Sequence, residues 1–128
     1  MVAGLRVMVV EDDADTAAQM ARFLQSCGHD VHVCTDGGSA LQALGDYHPD
    51  AVLLDLGLPD IDGWRVAEHV WKCASLVRPL LIAVSGYSRE EHGWHSRESG
   101  IDLHLVKPVD LDELRALLSR HMALLAHP

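Results

Sequence analysis

The stretch LLDLGLPDIDG, residues 53–63, runs an apolar segment directly into a single carboxylate and then into a turn. The apolar residues lead to Asp55, and Gly57, Pro59 and Gly63 follow it. A carboxylate at the end of a buried strand is costly unless another group compensates its charge. We therefore look for that compensating group elsewhere in the sequence, because its position decides the fold and the chemistry.

Short apolar segments recur along the chain and predict five β-strands. The first, third and fourth are nearly continuous in Val, Leu, Ile and Ala, as in strands that are covered on both faces. The second and fifth, VHVC and LHLV, alternate between apolar and polar residues, which indicates positions at the sheet edges. The predicted strands are residues 5–10, 31–34, 51–54, 80–84 and 103–106.

Apolar residues at helical spacing predict helices between these strands. One predicted helix ends at Gly28, and the last begins with Asp110 and Glu113 spaced as a capping box. A weaker helix is predicted over residues 88–99, where Trp94 is the only large apolar residue. Strands that alternate with helices predict an α/β fold, a parallel sheet in a three-layer sandwich, with one domain over residues 1–128.

The composition restricts the classes of function. The chain has 128 residues, 48% of them apolar, and a formal charge of −9. This charge argues against direct nucleic-acid binding, which needs clustered Lys and Arg. We see no membrane span and no secretory signal, and three cysteines without close spacing indicate reduced thiols. We therefore expect a cytoplasmic protein.

Charged and polar residues follow four of the five predicted strands. Glu11 and Asp12 follow the first, Asp55 the third, Ser85 the fourth and Lys107 the fifth. Each of these residues alone fits an ordinary role in a helix cap, a turn or a solvated loop. The carboxyl ends of parallel strands meet at one edge of the sheet, where ligands bind in such folds. Together the residues therefore favour a functional site at that edge.

The types of residue in this group indicate phosphoryl chemistry. Three carboxylates cannot all be ionised at close range without a cation, and a hard divalent ion such as Mg²⁺ meets that need. Gly57 leaves a backbone carbonyl accessible as a further ligand, and the Lys107 ammonium suits a carboxylate or phosphoryl oxygen. Asp55 is then placed to act as a nucleophile whose product is an acyl phosphate, with the Ser85 hydroxyl as a donor.

The motifs VMVVEDD, LLDLGLPDIDG, AVSGYS and HLVKPVDLDEL closely resemble the receiver domain of bacterial two-component response regulators. The resemblance covers nearly the whole chain. It implies a flavodoxin-like (βα)5 fold, a doubly wound parallel sheet with strand order 2-1-3-4-5. It also implies that Asp55 accepts a phosphoryl group from a phosphohistidine of a sensor histidine kinase or of a histidine phosphotransfer protein.

The resemblance further implies a role for each site residue. The implied Mg²⁺ ligands are Glu11, through water, Asp12, Asp55 and the backbone carbonyl of Gly57. Ser85 takes the switch position, Lys107 is the family's lysine, and the bond from Lys107 to Pro108 is typically cis, which would aim the lysine inward. Phosphorylation would then shift the partner preference of one face of the domain. That face is built from the predicted helix over residues 88–99, the fifth strand and the last helix.

His104 departs from this pattern, because it stands where the family commonly has a switch Tyr or Phe. Our hypothesis is that His104 couples less tightly to Ser85 than an aromatic residue does, or couples in a pH-dependent way.

Other functions fit the sequence less well. A phosphatase of the haloacid dehalogenase kind needs a second Asp at position 57, where this chain has Gly. A dinucleotide site needs a Gly-rich loop where this chain has acidic residues. The remaining alternative is a degenerate pseudo-receiver, a binding module that is independent of phosphorylation.

We expect the protein not to be an enzyme in the ordinary sense, because a receiver catalyses only its own phosphorylation and dephosphorylation. The residues of these motifs favour a stand-alone receiver or a receiver from a hybrid histidine kinase. Its output would be a downstream effector protein or a fused output domain.

Overall fold

The computed structural model describes residues 4–58, 60, 63–73, 78–86 and 101–126. The predicted helix over residues 88–99 lies outside these ranges. The strands are β1 (Arg6–Val10), β2 (Asp30–Cys34), β3 (Ala51–Asp55), β4 (Leu80–Ser85) and β5 (Leu103–Val106). The helices are α1 (Ala14–Ser26), α2 (Gly37–Tyr47), α3 (Gly63–Cys73) and α4 (Leu111–Ala126).

The five strands form one parallel sheet in the order β2-β1-β3-β4-β5, which confirms the predicted fold. The alternating strands β2 and β5 lie at the two edges, as expected from their half-polar sequences. The central strand β3 is buried along its whole length, and β4 is buried in all but its first residue.

Both faces of the sheet are covered, because successive strand residues point to opposite sides. On one face, residues such as Val9 and Leu53 form a core with Leu114 of α4 and with α1. On the other face, residues such as Val52 pack with Val66 of α3 and with α2. Two apolar cores separated by one sheet give the three-layer sandwich.

Both ends of α1 are capped, and its C-terminal end lies next to Gly28, as the sequence predicts. Asp13 caps its N-terminus, and its carboxylate accepts a hydrogen bond from the backbone N–H of Thr16. Cys27 is the C-cap, and Gly28 follows with φ of 95°, a left-handed conformation that glycine adopts without steric cost.

Three of the strands are longer by one residue than the sequence predicts: β2 begins one residue earlier, at Asp30, and β3 and β4 each end one residue later. β3 ends at Asp55, which pairs with Val84, and β4 ends at Ser85, which pairs with Val106. Asp55 and Ser85 are therefore held by the sheet itself and not by the loops that follow it. Among the helices in the described part of the chain, none is long and apolar enough to cross a membrane.

Candidate functional site

Three carboxylates meet at the carboxyl edge of the sheet. One oxygen from each of Glu11, Asp12 and Asp55 lies within 4.8 Å of the others. The backbone N–H of Glu11 donates to the carbonyl of Cys34, which holds Glu11 in line with β1. Glu11 and Asp55 are each only 6% exposed, whereas Asp12 faces solvent. The cluster is therefore anchored on its inner side and open to an ion on its outer side.

Lys107 supplies the compensating charge that the opening stretch requires. Its Nζ lies 3.3 Å from Glu11 Oε1 and 3.3 Å from Asp55 Oδ2. The backbone N–H of Lys107 donates to the carbonyl of Ser85, and this hydrogen bond fixes the backbone of Lys107 against the end of β4. The peptide bond between Lys107 and Pro108 is cis, as the resemblance implied.

The environments of the two buried carboxyls separate their pKa values. Burial, together with a hydrogen bond to Asp55 and the charge of Asp55, raises the pKa of Glu11 to about 7. Burial also acts to raise the pKa of Asp55, but hydrogen bonds from Glu11 and Gly57 and the charge of Lys107 together lower it. Glu11 therefore takes up a proton near neutral pH, whereas Asp55 stays ionised, which is the state that a nucleophilic carboxylate needs.

Gly57 contacts Asp55 through its backbone amide, a role that the sequence did not reveal. Its N–H donates to Asp55 Oδ1 at 2.9 Å, while Asp55 Oδ2 faces Lys107. A Cβ at position 57 would lie 3.5 Å from Asp55 Oδ1, an ordinary contact, so the glycine is not required for space. The ligand role of the Gly57 carbonyl stays a prediction.

Ser85 and His104, the two residues that the sequence hypothesis coupled, are in direct contact through a hydrogen bond that the sequence did not reveal. Ser85 Oγ lies 3.0 Å from His104 Nε2, and the two residues are 4% and 7% exposed. A buried hydrogen bond thus joins Ser85 of β4 to His104 of β5. The hypothesis that His104 couples to Ser85 less tightly than an aromatic residue does, or in a pH-dependent way, stays a prediction.

A cleft of about 490 Å³ leads to the acidic cluster. Glu11, Asp55 and Lys107 lie along it, and Met20 of α1 and Val109 of the β5–α4 loop are among its apolar walls. The cleft leaves room beside the Asp55 carboxylate for a reacting group.

The donor set fits a hard divalent cation. All three clustered side chains offer carboxylate oxygens, the ligand type that Mg²⁺ prefers. Three acids against the single ammonium of Lys107 leave an excess of negative charge that a divalent ion would neutralise. Glu11, Asp12 and Asp55 are the residues that would hold it.

Comparisons with known proteins agree with this geometry. The sequence model of a family described as the response regulator receiver domain matches residues 7–119. The transcriptional regulatory protein TcrA of Mycobacterium tuberculosis is 38% identical over 119 residues, which cover 91% of this chain and 46% of TcrA. The chain thus spans about half the length of this relative.

Solved structures of receiver domains superpose closely. A CheY-like receiver domain protein from Methanospirillum hungatei JF-1 gives a TM-score of 0.86 at 24% identity, covering 95% of this chain and 96% of that one. The receiver domain of the sensor histidine kinase PA1611 from Pseudomonas aeruginosa gives 0.83 at 26% identity, covering 94% and 99%. That second structure has a magnesium ion coordinated in its active-site cleft.

Proposed function

The chain belongs to the response regulator receiver family, the signalling module of two-component systems, and on that premise we propose that Asp55 is its phosphoacceptor. The observation that carries this proposal is the state of Asp55: it is buried, kept ionised and oriented by Gly57 and Lys107. Such a carboxylate is a prepared nucleophile.

The phosphoryl donor is a phosphohistidine of a histidine kinase or histidine phosphotransfer protein. An Asp55 oxygen attacks the phosphorus, the P–N bond breaks, and the leaving imidazole nitrogen takes a proton from solvent. Lys107 lies beside Asp55 Oδ2 and neutralises charge on the phosphoryl oxygens as the group arrives. Mg²⁺ held by the acidic cluster supplies further positive charge when bound.

The phosphorylated receiver would act on a downstream effector protein or a fused output domain. The names of the relatives include both a transcriptional regulator and a sensor histidine kinase. The acidic charge of the chain supports output through protein contacts, with no direct contact to nucleic acid or a membrane. The proposal treats residues 1–128 as a single receiver domain that acts in the cytoplasm.

Intact mass after incubation with acetyl phosphate tests the proposal. We expect one added phosphate in the presence of Mg²⁺ and none with excess chelator. Asp55→Asn is the matched control, since it keeps the size of the side chain and removes the nucleophile. A protein that gains no phosphate under any condition would instead be a pseudo-receiver, with a binding surface that does not depend on phosphorylation.

A further inference from the structure

Asp60 joins the loop after β3 to the N-terminus of α2. Its Oδ1 accepts a hydrogen bond from the backbone N–H of Gly37 at 2.9 Å, and its Oδ2 accepts one from Gly38 at 3.1 Å. These donors are the first two residues of α2, where a backbone N–H has no partner within the helix. The positive end of the helix dipole also favours a carboxylate at this place. Asp60 therefore connects two segments that are distant in sequence.

The N-terminus of α2 has a cap of its own besides Asp60. Asp36 is the N-cap residue, and its Oδ1 accepts a hydrogen bond from the backbone N–H of Ser39 at 2.7 Å. The two carboxylates at this N-terminus differ in what they join. Asp36 holds the helix to its own first turn, whereas Asp60 holds the helix to the loop after β3.

The loop that Asp60 holds also carries Gly57. At its start, the backbone N–H of Leu56 donates to a β4 carbonyl at 3.1 Å. Leu58 is buried in the apolar core that α2 and α3 share. Asp60 is a third point of attachment. Gly57 lies between the first two points and places its N–H on Asp55 Oδ1, so the position of this amide depends on how the loop is held.

The same part of the fold is tied to the other end of the acidic cluster. The carbonyl of Cys34, the last residue of β2, accepts a hydrogen bond from the backbone N–H of Glu11 at 3.0 Å. Helix α2 begins soon after, at Gly37. Asp60 therefore closes a ring of contacts that runs from Glu11 through the end of β2 and the start of α2 to the loop after Asp55.

We propose that Asp60 is a positioning residue for phosphorylation: by anchoring the loop after β3 to α2, it keeps the Gly57 amide on Asp55 Oδ1. This inference rests on the proposed function, because it gives Asp60 a part in the reactivity of Asp55. The hydrogen bond to Oδ1 fixes the rotation of the carboxylate, so Oδ2 keeps its place beside Lys107. A nucleophile that is oriented before the donor arrives reacts faster.

The first test is the rate of phosphorylation by acetyl phosphate with Mg²⁺, followed by intact mass. Asp60→Ala removes both acceptors at the N-terminus of α2, whereas Asp60→Asn keeps the shape of the side chain and one acceptor oxygen. We expect the Ala variant to react roughly fivefold more slowly, the size of one lost hydrogen bond at Asp55. The rate of the Asn variant is expected to lie between those of wild type and the Ala variant.

Asp36→Ala is the matched control, because it removes the other carboxylate at the same helix N-terminus and leaves the loop after β3 attached. We expect both Ala variants to lower the melting temperature, since each removes a partner of the first turn of α2. Only Asp60→Ala is expected to slow phosphorylation. Equal slowing by Asp36→Ala would overturn the inference, because the effect would then come from the stability of α2.

The second test observes the Gly57 amide directly, in ¹H–¹⁵N NMR spectra recorded without a phosphoryl donor. An amide that donates to a carboxylate resonates downfield. We expect Asp60→Ala to shift the Gly57 amide upfield and to speed its exchange with solvent, Asp60→Asn to do so by less, and Asp36→Ala to leave it unchanged.

A Gly57 amide that Asp60→Ala does not change would overturn the inference, as would an Ala variant that is phosphorylated as fast as wild type. Wild-type protein that gains no phosphate would contradict the proposed function itself. The two failures are distinguishable, because the amide spectrum does not depend on phosphorylation.

Discussion

Lys107 is the residue on which the charge balance of the acidic cluster depends, because its ammonium contacts both buried carboxylates. We expect Lys107→Gln to slow phosphorylation by acetyl phosphate roughly 100-fold, the typical cost of removing one preorganised charge from a reacting site. Lys107→Arg keeps the positive charge but replaces a compact ammonium with a planar guanidinium. Its rate of phosphorylation should therefore lie between the rates of wild type and Lys107→Gln. A Gln variant that reacts at the wild-type rate would show that the lysine only balances charge in the resting protein.

Glu11 makes Mg²⁺ binding depend on pH. Its raised pKa, about 7, means that below neutrality it holds a proton, and that proton must leave before the carboxylate can help to hold a cation. Affinity should therefore increase about tenfold from pH 6 to pH 8, as the ionised fraction of one such carboxyl does. Isothermal calorimetry in buffers of different ionisation enthalpy measures both the affinity and the released proton.

Glu11→Gln is the control for this pH dependence, because it keeps the shape of the side chain and cannot titrate. Its affinity for Mg²⁺ is expected to be lower at pH 8 and nearly flat across the same range. Equal wild-type affinity at pH 6 and pH 8 would contradict the prediction.

His29, the residue before β2, makes the free energy of unfolding depend on pH. Its Nδ1 accepts a hydrogen bond from the backbone N–H of Leu5, and burial lowers its pKa. The folded protein thus takes up a proton here less readily than the unfolded chain, whose histidine titrates near 6.5. The stability from this group is complete above that pH and decreases as the pH falls below it.

His29→Asn tests this link, since an Asn oxygen can accept the Leu5 hydrogen bond without titrating. In urea unfolding between pH 5 and pH 7.5, we expect wild type to lose about 1 kcal/mol more than the Asn variant, the net value of one hydrogen bond. The difference between the two proteins isolates His29 from other titrating groups. Parallel pH profiles would show that His29 does not contribute.

At the scale of the element, the N-terminus of α4 depends on Asp110. As the capping signal predicted, its Oδ1 accepts hydrogen bonds from the backbone N–H groups of Asp112 and Glu113, at 2.9 and 3.2 Å. Asp110→Ala should lower the free energy of unfolding by about 1 kcal/mol, the usual value of such a cap. Asp112→Ala is the neighbouring control, because that exposed side chain only forms a surface ion pair with Arg115.

At the scale of the whole molecule, Mg²⁺ should stabilise the fold, because its proposed ligands come from two separate parts of the chain, the pair Glu11 and Asp12 and the distant Asp55, which meet only when the chain is folded. Mass action predicts about 2.7 kcal/mol at a concentration 100 times the dissociation constant. We expect the melting temperature to rise by several degrees with added MgCl₂, beyond the effect of KCl at equal ionic strength. Asp12→Ala should lose most of this rise, and an equal rise in that variant would place the ion elsewhere.

The sequence predicted the elements well because their signals are local. All five strands were identified to within one residue at each end, since apolar runs and alternation reflect burial directly. The stop at Gly28 and the cap at Asp110 were also predicted, because each depends on a residue's own conformational preference or on a neighbour a few residues away.

The contacts inside the site were less predictable. Lys107 and Asp55 are 52 residues apart and Ser85 and His104 are 19 apart, so no local pattern records that these side chains touch. The amide of Gly57 on Asp55 was missed for a different reason: a backbone N–H is present in every residue except proline and leaves no mark in the sequence.

The sequence by itself determined the fold, the strand order implied by the family resemblance, and which residues stand at the strand ends. Only the tertiary structure decided that Lys107 bridges both buried carboxylates, that the pKa of Glu11 is raised while that of Asp55 is lowered, and that Ser85 bonds to His104. The physical reason is that hydrophobic patterning acts along the chain, whereas a pKa or a hydrogen bond depends on the burial and distances that arise when strands far apart in sequence pair in register.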